Sequence, residues 1–422
     1  MQGLATSPEQ SSHETKRRLE EAYGSLPSSS GPLSIDVHAL VTSSPHQDRV
    51  FRTVRKAVYV ATEDGKLKQL QPQDEYTFFD QCVYACHHTY AIGDGPKKNE
   101  IFLWVGRHSS AGLVDQAQVA VKKLAKEASN AFISTIRQGM ELPGFLQALG
   151  GILVTRRGSW EGAPRQYMLC GRKHLGQIVF DEVDFGVSSL CSGFPYLVSY
   201  PVTLQETRLY LWKGSASSAE EVSAARLAAM DLSETRDVIE VDDGAEFASF
   251  LKIFGPGTSK ASIQPAHEIW QAKAPSGGRF SSRLFHVQAE ETKQGLFGGM
   301  FARRPSWNSQ SPSRRQAADV KVSAQEISPF TQADLDVDGI YLLDAHSQIY
   351  ILVGPMFASQ PEAVRNGLFG QTLLLASEYA LTLTSMEDRA TVPKGFVLLS
   401  GTPSHLKMLF RHWDDTGLWG TG

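Results

Sequence analysis

Cysteine is scarce in this chain. There are four in 422 residues, Cys82, Cys86, Cys170 and Cys191, and none forms a C-x-x-C pair. A disulfide framework is therefore excluded, and the four read as reduced core filling. No run of eighteen or more apolar residues occurs, so no α-helical membrane span is expected. The opening stretch, MQGLATSPEQSSHETKRRLEEAYG, is polar and lacks the apolar centre of a signal peptide, which makes cytoplasmic residence the expectation. A basic excess is also missing. The net charge of −4 argues against general nucleic-acid binding. Catalytic frames are missing too: there is no G-x-S-x-G, no H-E-x-x-H and no recognisable carboxylate pair, so an enzyme is not expected. The glycine-rich GLFGGMF at 295–301 lacks the lysine and following helix of a phosphate loop. His87 and His88 adjoin Cys86, but neighbouring strand residues point to opposite faces, so core or surface histidine is expected rather than zinc.

What is present is repetition. IFLWVG at 101–106 returns as LYLWKG at 209–214 and as IYILVG at 349–354. Each copy is an apolar strand ending in glycine, then a polar step, then a helical pattern. The strand is apolar at successive positions, which suits a strand covered on both faces. The glycine is read as permitting a sharp turn toward the helix. In the first copy Leu113, Ala117, Val121, Leu124 and Ala128 recur at helical spacing and mark the inward stripe. The step from Gly106 to Gly214 is about 108 residues, the size of one small core. The next step, about 140 residues, is lengthened by an insertion rich in Gly, Ser, Pro and Arg.

The chain divides accordingly. Residues 1–44, rich in Ser, Pro, Gln and Glu, read as a disordered tail with one short helical stretch. Repeats follow at 45–158 and 159–258, then a linker at 259–280, then a third repeat at 281–422 with a flexible insertion over about 290–318.

The recurring unit, with its LLD turn (GIYLLD), its tryptophan strand and its closing helices in ELPGF and EFASF, resembles the gelsolin/villin repeat. The end, LFRHWDDTGLWG, is similar to the close of the last gelsolin repeat, and the order is most similar to repeats four to six. The resemblance implies an α+β fold of three tandem domains, each a mixed central sheet between one long and one short helix. It implies actin as partner, by filament capping, severing or monomer binding, with calcium and phosphoinositides as possible modulators. The alternative is an interaction scaffold of gelsolin-like modules that does not act on actin, as in vesicle coats.

The resemblance also suggests site residues. In the third repeat Asp338, the carbonyl of Gly339 and Glu362 occupy calcium-ligand positions, with Glu362 one residue later than usual. The second repeat keeps Glu221 but has no aspartate before its central strand. The first offers Asp80 but has Leu113 or Val114 where the helix glutamate belongs. At most one or two calcium sites are expected, since calcium takes six to eight oxygens. The long helix of the first repeat is the expected actin contact. At about 100° per residue, Asp115, Val119, Lys122 and Lys126 lie opposite its inward stripe. RRGSW and RRPSW place Ser159 and Ser306 behind paired arginines, a pattern for phosphorylation by a basophilic kinase.

Overall fold

The computed structural model describes residues 33–43, 51–233, 235, 237–268, 280–290, 321–387, 389, 391–399 and 401–419. After a helix α1 (Val37–Thr42), the first unit contains β1 (Arg52–Ala61), β2 (Leu67–Gln69), β3 (Thr77–Phe79), β4 (Val83–Ala91) and β5 (Lys98–Val105). It continues with α2 (Ala111–Glu127), β6 (Phe132–Arg137), α3 (Pro143–Leu149) and β7 (Ile152–Arg156). The second unit contains β8 (Tyr167–His174), β9 (Gln177–Val183), β10 (Pro195–Pro201), β11 (Thr207–Lys213), α4 (Ala219–Leu232), β12 (Val238–Asp242) and α5 (Ala248–Lys252). The third contains β13 (Arg283–Ala289), β14 (Val322–Ile327), β15 (Ile340–Asp344), β16 (Gln348–Val353), α6 (Glu362–Met386), β17 (Lys394–Leu398) and α7 (Ser404–Lys407).

One plan recurs in all three. The strands run β1-β4-β5-β6, β8-β10-β11-β12 and β13-β15-β16-β17, antiparallel except for the last pair, which is parallel. A parallel neighbour needs a crossover, and the long helix supplies it each time. Alternation along the central strand feeds both faces. Ile101 and Leu103 pack with Ala117 and Val121 of α2, whereas Phe102 and Trp104 pack with Phe145 and Leu146 of α3.

The recurring glycine has a different reason from a turn. None of Gly106, Gly214 and Gly354 has a positive φ. A Cβ on Gly106 would lie 2.3 Å from the Asp80 carbonyl oxygen, one on Gly214 2.6 Å from that of Phe194, and one on Gly354 2.3 Å from that of Val337. The end of the central strand is pressed against the backbone that leads into the preceding strand, and only glycine leaves room. Gly354→Ala is expected to destabilise the third unit by about 1–3 kcal/mol, the usual cost of overpacking. Urea denaturation followed by exchange of the third unit's amides would check it, and an unchanged midpoint would refute the close-packing account.

Three boundaries differ from expectation. β7 lies in the second sheet, parallel to β9, and β3 extends that sheet as its outermost strand, giving β12-β11-β10-β8-β9-β7-β3. The break after residue 158 therefore falls downstream of strands that the second unit has taken. Gln264 bridges Cys191 and exchanges backbone hydrogen bonds with Leu190 and Ser192, so the start of the expected linker is fastened to the second unit. Residues 33–43 of the expected disordered tail form α1 and its approach. Their apolar side chains find a partner in the third unit, which local composition cannot show. Ser306 and all but the first residue of the expected insertion lie outside the described residues.

Candidate functional site

α2 begins at Ser110, whose Oγ accepts the Leu113 N–H at 3.2 Å. It ends through left-handed Ser129 and Asn130, with the Ala131 N–H reaching back to the Ala125 carbonyl at 3.0 Å. Ala117, Val121 and Ala125 are buried on the sheet, with Leu113, Leu124 and Ala128 at the margin. The outward positions Asp115, Val119, Lys122 and Lys126 are all exposed, Val119 by 70%. The structure therefore brings these four onto one face, as the spacing implied. Lys126 also sits in the last turn, where a cation suits the helix dipole.

Further outward apolar positions escaped the sequence reading, Leu227 and Leu381 the most exposed of those on α4 and α6. Leu227 on α4 is 60% exposed and Leu381 on α6 58%. Leu227 lies about 200° round from the buried Ala225, so the same helical arithmetic applied to the second repeat would have found it.

The calcium positions are occupied by the chain's own donors. The Asp80 carboxylate faces His108 Nδ1 at 2.9 Å and accepts the Gly158 N–H at 2.8 Å. Buried Glu221 accepts the Lys173 N–H on one oxygen and the N–H and O–H of Ser218 on the other, closing a capping box. In the third unit Gln360 Nε2 donates to both the carbonyl and the carboxylate of Asp338, at 3.3 and 3.2 Å. The Gly339 carbonyl accepts the Gly354 N–H at 2.9 Å, and Glu362 is exposed at the first turn of α6. Among the described residues no group of three or more His, Cys, Asp or Glu is placed to hold a metal. Asp338, the Gly339 carbonyl and Glu362 by themselves supply fewer oxygens than the six to eight that calcium takes.

Ser159 is half-buried, its Oγ 3.7 Å from Cys82 Sγ, and the residues around it are engaged. Arg156 is buried beside Glu182 and stacked on Tyr167, and Lys68 lies over Trp160. The segment is a packed edge rather than a solvated basic turn. His88 is buried and shares hydrogen bonds with Thr53 and Glu100, while half-buried His87 points to the other face.

The sharpest electrostatic feature lies where the units meet. Trp104 Nε1 donates to Glu141 at 2.7 Å, and Trp212 repeats this with Glu246 at 2.9 Å. Leu352 stands at the equivalent place in the third copy of the strand. That unit instead sends Arg411 into the first two. Arg411 Nη1 donates to Glu141 at 2.7 Å, and its Nε and Nη2 fork onto Asp181 at 2.9 and 2.8 Å. All three side chains are buried. Burial alone would raise both carboxyls. Arg411 outweighs it, holding Glu141 below the usual carboxylate range and Asp181 well below it. His174, against the Glu141 carbonyl, is lowered to about 4 by burial and then by Arg411.

A family model described as Gelsolin repeat matches residues 176–251, and one described as a domain of unknown function (DUF7904) matches 57–157. The chain is similar to Gelsolin of Drosophila melanogaster, 24% identical, with 88% of this chain and 40% of that protein covered. It is similar to Protovillin of Dictyostelium discoideum at 23%, covering 66% of this chain and 26% of that protein. Villidin of the same organism is 24% identical, with 67% and 15% covered. The chain thus spans under half the length of each of these relatives. A solved structure titled as the crystal structure of the Thorarchaeota 2DGel3/rabbit actin complex is 18% identical, covering 47% of this chain and 99% of that one. Its TM-score of 0.19 carries no argument about the fold. With its three mixed sheets the protein is an α+β assembly of gelsolin-like units. The chain is thus similar to gelsolin/villin proteins, and its residues 176–251 match the gelsolin repeat itself.

Proposed function

We propose that this chain is a cytoplasmic, non-enzymatic actin-binding protein and that the outward face of α2 is a principal contact. The family supports actin as partner. The observation that carries the surface is Val119, 70% exposed on a helix whose inward stripe already completes the core. An apolar anchor ringed by charge is the pattern of an interface centre. No helix among the described residues is long and apolar enough to cross a membrane, in keeping with action on a soluble partner. The internal donors on Asp80, Glu221 and Asp338 support binding that does not require calcium.

The double substitution Val119→Asp, Lys122→Glu is expected to weaken actin binding at least about tenfold, the scale of losing an interface anchor. Co-sedimentation and monomer binding, each with chelator and with calcium, would read it after circular dichroism shows the variant folded. Wild-type affinity in the folded variant would remove α2 as the contact. A wild-type chain that binds no actin would favour the scaffold reading, and binding seen only with calcium would overturn the calcium-independent part.

A further inference from the structure

The third unit is completed by residues from the far end of the chain. Val37 of α1 is 6% exposed and belongs to the third unit's core, with Phe285, Val287 and Val322 beneath it and α6 alongside. Leu33, Ile35, Leu40 and Val41 pack around the same cluster. The polar contacts fix both ends of the segment. Ser34 Oγ donates to the Val322 carbonyl at 3.0 Å, and Asp36 caps the helix by accepting the Ala39 N–H at 3.0 Å. At the other end Arg283 donates to the carbonyls of Leu40, Val41 and Ser43 at 2.8, 3.1 and 3.0 Å. The guanidinium is itself held in place by a fork onto Glu326, at 2.9 and 2.6 Å. A cation at a helix C-terminus meets the carbonyls that the helix leaves unpaired.

A helix of six residues does not persist alone in water. The groove therefore shapes α1, and its features define a ligand: a two-turn helix, apolar at i, i+3 and i+4, with its last carbonyls open to a cation. We propose that this groove, over β13 and β14 beside α6, is a helix-docking site, and that residues 33–43 are its resident, exchangeable occupant. Eight residues separate Ser43 from Arg52 at the start of β1. A released segment would thus stay within about 30 Å of its anchor. Such a tether gives an effective concentration in the millimolar range. A free helix of the same pattern is excluded while the resident is seated, and enters once the resident is weakened. Release would open the α1 side of the cluster that holds Phe285, Val287 and Val322.

The full-length chain and a fluorescein-labelled synthetic peptide of residues 31–45 test this by anisotropy. The peptide is expected to bind a Val37→Asp chain at least tenfold more tightly than the wild-type chain. Adding Arg283→Met to that background is expected to weaken the peptide at least tenfold. Equal binding to wild type and Val37→Asp, or no loss with Arg283→Met, would overturn the proposal. So would failure to bind while the β13 amides remain protected in Val37→Asp. Hydrogen exchange on the wild-type chain covers the case in which the variant unfolds its third unit. The α1 amides are expected to exchange at least tenfold faster than those of β13 and β15. Exchange of all three at one rate would show that the segment leaves only when the unit unfolds, and the proposal would fail.

Discussion

Arg411→Met is expected to cost about 3–5 kcal/mol, the range found when one partner of a buried ion pair is removed. It should appear as an earlier first transition in urea or heat. Glu141 and Asp181 would be left buried with only the His412 ring, 3.3 Å from Asp181, in place of the guanidinium, and their other partners hold them where they are: Glu141 is tied to Trp104 and the Gly139 N–H, and Asp181 to the Thr155 hydroxyl. Arg411→Lys should recover only part of the loss, because one ammonium cannot fork onto Asp181 while also meeting Glu141. Removing all three charges together, as Glu141→Gln, Asp181→Asn, Arg411→Met, should be milder than Arg411→Met alone, since the large cost is an unpaired charge and not the missing pair. A wild-type midpoint for Arg411→Met would mean that water reaches the junction and that the network is not buried in solution.

The second large effect is one of pH. His174 is lowered to about 4 in the fold, against about 6.5 in an unfolded chain. The unfolded state therefore binds the extra proton first as the solution is acidified. This histidine's contribution is complete above about pH 6.5 and is lost as pH falls through 4. Over that window the difference is about 3 kcal/mol. The depressed carboxyls of Asp181 and Glu141 act in the same direction but lower. Their contribution is present above the ordinary carboxylate range and disappears only below it. His346, lowered to about 4 by burial and then by Arg389, titrates in the same window, so stability between pH 4 and 7 carries both histidines. His174→Gln should reduce the slope there without abolishing it, leaving the fall below pH 4. An unaltered slope would assign the window to other groups.

Much of the fold was legible because its signals are local. The apolar strand, its glycine and the stripe Leu113, Ala117, Val121, Leu124 and Ala128 lie within a few turns of one another, and the structure places them as the spacing implied. The outward set around Val119 followed from the same arithmetic. The glycine's reason was not legible. A turn residue and a close-packed residue look alike in a string, and only the 2.3 Å approach to another backbone separates them. Pairings across the chain left no trace at all. Arg411 stands in a segment that looked like a family ending, and nothing near it names Glu141 or Asp181, 270 and 230 residues away. The calcium positions show a contact that spacing alone does not convey. Asp338 and Glu362 were visible, but Gln360, two residues before Glu362, is the side chain that takes the Asp338 oxygens.

The placement of β3 and β7 bears on how force would pass through this molecule. The copies in the sequence record duplication, whereas a load is carried by backbone ladders. The first two copies share one, since β7 and β3 run on beyond β9 as the edge of the second sheet. Prising them apart means shearing main-chain hydrogen bonds in register. The third copy adjoins the second through a common apolar cluster and adjoins both through side chains, Arg411 on Glu141 and Asp181, Arg107 on the His412 carbonyl and Arg172 on the Met408 carbonyl, with no backbone ladder between them among the described residues. Under tension the chain is therefore expected to act as two bodies and not three, yielding first where the third copy meets the second.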